Sequence, residues 1–151
     1  MELSVDVDAG VVLTKLQKLA RERVSVRRRE IVLEGSRTAL RETIQRTPVD
    51  EGEARSSWVA GLRLLGSGEV SGWEGPQARS EAILEGSRAM RLERLDGSVQ
   101  TEIACRNEVE HVVYLEYGTR RMSPRASVQR SLETTAEFMR RVEFLTAGMM
   151  Q

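Results

Sequence analysis

The longest regular pattern of apolar residues lies in the first third of the chain. Between residues 9 and 46, apolar or small side chains recur every three or four positions, which is the spacing of one helix face. Val24, Ser25 and Val26 weaken this pattern, because β-branched residues and serine are mediocre helix formers. We therefore predict either one long N-terminal helix or two helices broken near Ser25.

Shorter patterns follow this helix. Alternating apolar and polar residues predict short strands at residues 2–7, 58–64 and 99–105. A helical pattern begins at Pro76 and reaches Met90, and a closing helix is predicted over about residues 124–146. The predicted fold class is α+β, with a long N-terminal helix, a small mainly antiparallel β-sheet and a closing C-terminal helix. The length of 151 residues predicts a single domain, 1–151.

One turn-rich stretch runs from residue 113 to residue 125. Gly118 and Thr119 are typical of a helix end, since glycine takes a positive φ without steric cost. Ser123 and Pro124 predict the N-cap and first residue of the next helix. The stretch is thus predicted to be a corner between two helices, with Glu116 at its inner edge. An ordinary interhelical turn has the same pattern.

A second turn-rich stretch covers residues 47–58. Pro48 ends the first helix, because the residue before proline is pushed out of the α region. Asp50 is predicted to cap a short turn through residues 51–55, with Glu53 in the capping-box position. We also expect Asp50 to pair with Arg55.

The charges balance overall but are unusual in kind. The chain has 23 basic and 23 acidic residues, which gives no global case for nucleic-acid binding. Only Lys15 and Lys18 are lysines, and arginine favours bidentate pairing at interfaces, although codon bias explains the excess equally well. The cluster of Arg27, Arg28 and Arg29 could form a phosphate-binding patch, but we expect a solvated or subunit-facing turn, because glutamates lie within helical reach.

Catalytic or metal-binding groups are scarce in this sequence. The single cysteine and single histidine, Cys105 and His111, form neither a disulfide framework nor a Cys/His metal site. Glycines form no phosphate-binding loop, and the carboxylates lack metal-loop spacing. We expect no enzymatic activity, no cofactor and no metal. The absence of a long apolar run and of a signal-peptide pattern predicts no membrane segment and no secretion.

Taken together, the two turn-rich stretches resemble a known family. Residues 47–58, Thr-Pro-Val-Asp-Glu-Gly-Glu-Ala-Arg-Ser-Ser-Trp, are similar to the aPvDTGxLRxSw element of small neck and tail-completion proteins of long-tailed double-stranded-DNA bacteriophages. Leu115-Glu116-Tyr117-Gly118-Thr119 and the later Pro124 resemble the YAxxLExGTxxxxP element of that family, and Asn107 matches an asparagine at the end of the preceding strand. The order of elements also agrees.

This resemblance implies a non-enzymatic virion protein that assembles into a ring, usually six-fold, at the head–tail junction or tail end. Its partners would be copies of itself, the tail tube protein and head-completion or connector proteins, with non-specific contact to DNA in the lumen. It would be found in the virion neck or tail, and in the host cytoplasm during assembly. The expected motif and interface residues are Pro48, Asp50, Gly52, Arg55, Trp58, Asn107, Leu115, Glu116, Gly118, Thr119 and Pro124. Asp50 and Glu116 are expected to be fixing residues, and Glu116 is expected to anchor the Gly118 corner by accepting hydrogen bonds from the backbone or from an arginine.

Some positions depart from the family pattern. Glu51 replaces a threonine, His111 replaces a tyrosine, and Arg125 follows the proline in place of phenylalanine or glycine. Tail completion, tail termination and head–tail joining therefore all stay open. The alternative is a nucleic-acid-binding module that uses the arginine clusters, whose members would otherwise face a neighbouring subunit: Arg27, Arg28, Arg29, Arg120 and Arg121.

Overall fold

The computed structural model describes residues 9–68 and 70–148, with side-chain surroundings for residues 13–68 and 70–141. It confirms the predicted α+β class: a long N-terminal helix, a small antiparallel sheet and a C-terminal helix. The predicted strand at residues 2–7 lies outside the described residues. In chain order the elements are α1 (Ala9–Arg46), α2 (Glu53–Leu64), α3 (Ser80–Arg88), β1 (Met90–Asp96), β2 (Thr101–Asn107), α4 (Val112–Tyr117) and α5 (Ser127–Gly148).

Helix α1 is unbroken. Its 38 residues make it roughly 57 Å long at the ordinary helical rise. The Ser25 hydroxyl donates to the Glu22 carbonyl at 2.8 Å, so this polar side chain is satisfied within the helix. Of the two alternatives left by the sequence, the single long helix is the right one.

The core lies between the second half of α1, α2 and the first residue of β1. It is built from both tryptophans and six aliphatic or methionine side chains: Leu40, Ile44, Trp58, Val59, Leu62, Leu65, Trp73 and Met90. The strand predicted at residues 58–64 is wrong, because this segment is the second half of α2. Its buried residues also fit a helical stripe, with Ala54, Trp58 and Leu62 four apart, and a short apolar run satisfies both periodicities.

The sheet is a two-stranded hairpin. β1 pairs antiparallel with β2, with Met90 opposite Asn107 and Asp96 opposite Thr101. The predicted helix reaching Met90 therefore extends too far, since α3 ends at Arg88. The strand predicted at residues 99–105 is displaced, because residue 99 lies in the turn between the strands and β2 runs from Thr101 to Asn107.

Helices α2 and α3 approach very closely at Gly86. A Cβ atom at this position would lie within 3.0 Å of the Glu53 carbonyl oxygen and the Ser56 hydroxyl. The absence of a side chain at Gly86 is thus what lets α3 pack directly on the start of α2.

Helix α5 packs against α1 through small hydroxyl residues. Ser131 and Thr135 are buried, and each donates to the carbonyl four residues earlier in its own helix. The Ser127 hydroxyl donates to the Arg46 carbonyl at 3.1 Å, which joins the start of α5 to the end of α1. Because their polar atoms are satisfied, these small side chains allow the two helices to lie close together.

Candidate functional site

The two turn-rich stretches of the sequence meet in one groove. Trp58 from α2 lines it together with residues of α4 and α5, and its volume is about 520 Å³. We call this the α4–α5 groove. Its walls are formed by Trp58, Val112, Val113, Glu116, Tyr117, Val128, Gln129, Leu132 and Glu133.

Arg55 holds the first stretch in place. Its guanidinium donates to the Thr47 carbonyl at 2.7 Å and to the Trp73 carbonyl at 2.8 Å. Burial lowers the pKa of Arg55, but arginine stays charged in proteins, so these are charge-assisted bonds. Arg55 thereby joins the residue before Pro48, helix α2 and the loop that carries Trp73.

Asp50 does not play its predicted part. It is exposed and forms no hydrogen bond or ion pair with the residues that the structure describes, so the predicted Asp50–Arg55 pair is wrong. The N-cap of α2 is Gly52, with φ 97° and no side-chain cap. A left-handed glycine turns the chain into α2 at this point, and the Asp50 carboxylate is therefore not required.

Glu116 fixes the second stretch. Its two carboxylate oxygens each accept a backbone hydrogen bond at 2.9 Å, from the amides of Val128 and Gln129. Of the backbone or arginine hydrogen bonds expected for Glu116, the backbone bonds are the ones formed, and their donors lie in the first turn of α5. A carboxylate is favourable there, because it satisfies free N–H groups and faces the positive end of the helix dipole.

The loop between α4 and α5 differs from its prediction. Ser123 and Pro124 do not begin α5, which starts at Ser127. The backbone folds back instead, with the Arg125 amide donating to the Leu115 carbonyl at 2.8 Å. Ser123 and Pro124 thus lie inside the loop. The N-terminus of α5 is capped instead by Glu116, which belongs to α4.

Gly118 is the predicted helix end, and the structure confirms it. It has φ 77°, and its amide donates to the Tyr114 carbonyl at 2.8 Å. A Cβ atom here would lie 2.6 Å from the Met122 carbonyl oxygen and 2.8 Å from the Pro124 nitrogen. Thr119 pairs with Met122 directly after it. Both the backbone conformation and the close approach require glycine.

Asn107 connects the end of β2 to α2. Its side-chain amide donates to the Ala54 carbonyl at 3.0 Å, and its oxygen accepts from the Val109 amide at 3.1 Å. Nearby, His111 Nδ1 lies 3.7 Å from Glu53 Oε2. The two Asn107 hydrogen bonds join the end of β2 and the chain before α4 to the first stretch, and the sequence contained no signal that paired Asn107 with Ala54.

Helix α4 is apolar yet has no buried residue. Val113 and Tyr114 are more than half exposed, and Tyr117 is 78% exposed. Leu132 of α5 is also exposed, and it lines the α4–α5 groove together with Val113 and Tyr117. Contiguous exposed apolar side chains of this kind are typical of interaction sites.

The first arginine cluster is engaged within the chain. Arg27 lies 3.2 Å from Glu30, and Arg29 lies 3.8 Å from Asp96. Arg28 donates to two backbone carbonyls of the hairpin turn at 3.0 and 3.2 Å. The Nε and Nη2 donors of Arg28 are therefore already used within the chain.

The second arginine cluster has different surroundings. Arg120 and Arg121 are exposed, and their guanidinium groups form no ion pair with any residue that the structure describes. They lie in the loop that follows Gly118. This loop therefore presents positive charge to whatever lies opposite it.

Within residues 9–68 and 70–148, no group of three or more His, Cys, Asp or Glu side chains could hold a metal ion. Cys105 is half-buried, and burial raises the pKa of its thiol, which disfavours the reactive thiolate. Among these same residues, no helix is long and apolar enough to cross a membrane.

Comparison of the chain with models of known families, with curated proteins and with solved structures found no significant match.

Proposed function

We propose that this protein is a structural subunit of a ring at the head–tail junction or tail end of a long-tailed double-stranded-DNA bacteriophage. It would join the tail tube to the capsid connector and let DNA pass through its lumen, without catalysing a reaction. The observation that carries the proposal is the meeting of Trp58 and Glu116 in one groove, since each belongs to one of the two motif-like stretches.

The exposure of the groove supports an assembly role. The corner is rigidly built, because Gly118 and the two bonds to Glu116 fix α4 against α5. Val113, Tyr117 and Leu132 nevertheless face outward in the single subunit. A braced corner with unburied apolar side chains is the arrangement expected of a surface that a neighbouring subunit covers.

Measurement of assembly mass tests the proposal. The purified protein, alone and mixed with the tail tube protein of the same phage, is expected to form a closed ring or to cap the tube end. Tyr117→Asp should abolish this assembly, whereas Leu84→Asp, a matched change of an exposed apolar residue on α3, should not. The proposal would be refuted by a wild-type protein that stays monomeric when alone and that neither forms a ring nor binds the tube when tail tube protein is added.

DNA contact is a second candidate, favoured by the unpaired state of Arg120 and Arg121 among the described residues. If this loop faces DNA, binding of non-specific duplex should weaken steeply with added salt, because phosphate contacts release counterions. The double substitution Arg120→Ala and Arg121→Ala should reduce the salt dependence. Equal binding by the wild-type and doubly substituted proteins would exclude this loop as a DNA-contacting surface.

A further inference from the structure

The first part of α1 is an exposed amphipathic helix. We call residues 13–26 the α1 arm. Its large apolar side chains are between 51% and 64% exposed, although they belong to a regular helix. They are Leu13, Leu16, Leu19, Val24 and Val26. A helix with this much unburied apolar surface is expected to bind another surface.

The α1 arm cannot fill the groove of its own chain without breaking. It is continuous with the second half of α1, whose residues Leu40 and Ile44 are buried in the core. Helix α5 packs against α1 through Ser131 and Thr135. The arm therefore points away on a rigid helix, and its apolar surface is available to a second molecule.

The charge of the α1 arm is complementary to that of the α4–α5 groove. Four basic residues and one acidic residue give the arm a net charge of +3: Lys15, Lys18, Arg21 and Arg23 against Glu22. The groove is lined by apolar side chains, Gln129 and two carboxylates, Glu116 and Glu133, and none of its lining side chains is basic. An amphipathic basic helix fits an apolar groove with acidic edges.

We propose that the α1 arm of one copy docks into the α4–α5 groove of the next copy. This inference rests on the proposed ring function and specifies which surfaces of the subunit meet. The two surfaces are different parts of the chain, so the contact is heterologous and each copy can be donor and acceptor at once. Such contacts close into a ring when the rotation between subunits allows it.

Directed disulfide formation tests this contact. In a Cys105→Ala background, protein with Leu16→Cys is mixed with protein carrying Leu132→Cys and mildly oxidised, and the mixed disulfide is quantified. Leu13→Cys and Val24→Cys replace Leu16→Cys in parallel, so that one of three positions matches the docked register. The matched control is Lys18→Cys, which lies on the opposite side of the same helix.

The proposal predicts a mixed disulfide between Leu132→Cys and at least one apolar-face variant, and none above background for Lys18→Cys. Disulfides only between two α1 arms would mean that the arms pair with each other, and would overturn it. Lack of any mixed disulfide would also overturn it. In addition, Leu16→Asp and Leu132→Asp should each weaken self-association by at least about tenfold, as expected for the loss of one apolar anchor.

These results separate the inference from the proposed function. Rings that form without arm-to-groove disulfides would refute the docking and leave the ring function standing. Arm-to-groove disulfides in a protein that neither closes into rings nor binds tail or neck components would support the docking and refute the ring function.

Discussion

Two corners of this chain are built by similar means but differ in what they bury. At the α1–α2 corner, Arg55 braces the backbone and Trp58 lies in the core. At the α4–α5 corner, Glu116 braces the backbone while Val113 and Tyr117 stay exposed. The first corner therefore contributes to the stability of the subunit, whereas the second holds a surface ready for a partner.

The comparison is tested most strongly by the same substitution at both places. Leu62 is 1% exposed and Leu132 is 55% exposed. Leu62→Ala is expected to lower the free energy of unfolding by about 2–5 kcal/mol, because it leaves a cavity in the core. Leu132→Ala should change it by less than about 0.5 kcal/mol. Urea unfolding followed by circular dichroism measures both, and equal losses would show that the two corners do not differ as described.

Gly86 tests how tightly the inner part of the subunit is packed. Gly86→Ala should destabilise the fold by about 1–3 kcal/mol, since the added methyl group meets the backbone of α2. Gly68→Ala is the matched control, because a Cβ at Gly68 would meet no atom within 4 Å. Thermal melting of the two variants compares them directly. Similar melting temperatures would mean that α3 can move away from α2 without cost.

Glu116 tests the bracing of the outer corner. Glu116→Gln should cost about 1–3 kcal/mol, because the side chain loses its charge and its NH2 group cannot accept one of the two backbone hydrogen bonds. In a chain of this size that lowers the melting temperature by roughly 2–4 °C for each kcal/mol. Glu133→Gln is the control for the melting measurement, because the Glu133 carboxylate accepts a bond from the Gln129 side chain and not from the N-terminus of a helix. Unchanged melting and unchanged ring assembly in Glu116→Gln would remove the bracing role.

The smallest expected effect is a gain in stability. The Ser57 hydroxyl is fully buried and has no hydrogen-bond partner among the described residues. Ser57→Ala removes an unsatisfied polar group and should stabilise the subunit by up to about 1 kcal/mol. Ser56→Ala is the contrasting control. The Ser56 hydroxyl donates to the Glu53 carbonyl at 2.9 Å, so its removal should lower the stability of the subunit. Denaturant midpoints of both variants provide the measurement.

The sequence predicted those parts of the fold that depend on local chemistry. Long helical periodicity predicted α1, and the conformational freedom of Gly118 predicted the end of α4. Prediction failed where contacts with residues distant in sequence determine the local structure. The second half of α2 alternates like a strand but buries a helical stripe, and Ser123 looks like a cap although Glu116 caps α5 from another helix.

The candidate site was also predicted only in part, because local sequence patterns reveal some of its contacts and not those between residues distant in sequence. Glu116 was recognised as a fixing residue because a carboxylate stands at the inner edge of a glycine corner. The bond from Asn107 to Ala54 joins residues 53 positions apart, and no local pattern encodes such a contact. Exposure of the α1 arm likewise depends on which half of one uniform-looking helix the rest of the chain covers.

In the proposed ring, subunits assemble through the α4–α5 groove. Native mass spectrometry of the wild type and Leu132→Asp, each alone and with tail tubes, measures this assembly. Closed rings or capped tubes are expected for the wild type, and monomers with an unchanged melting temperature are expected for Leu132→Asp. Assembly of Leu132→Asp to the same mass and at the same concentration as the wild type would contradict assembly through this groove.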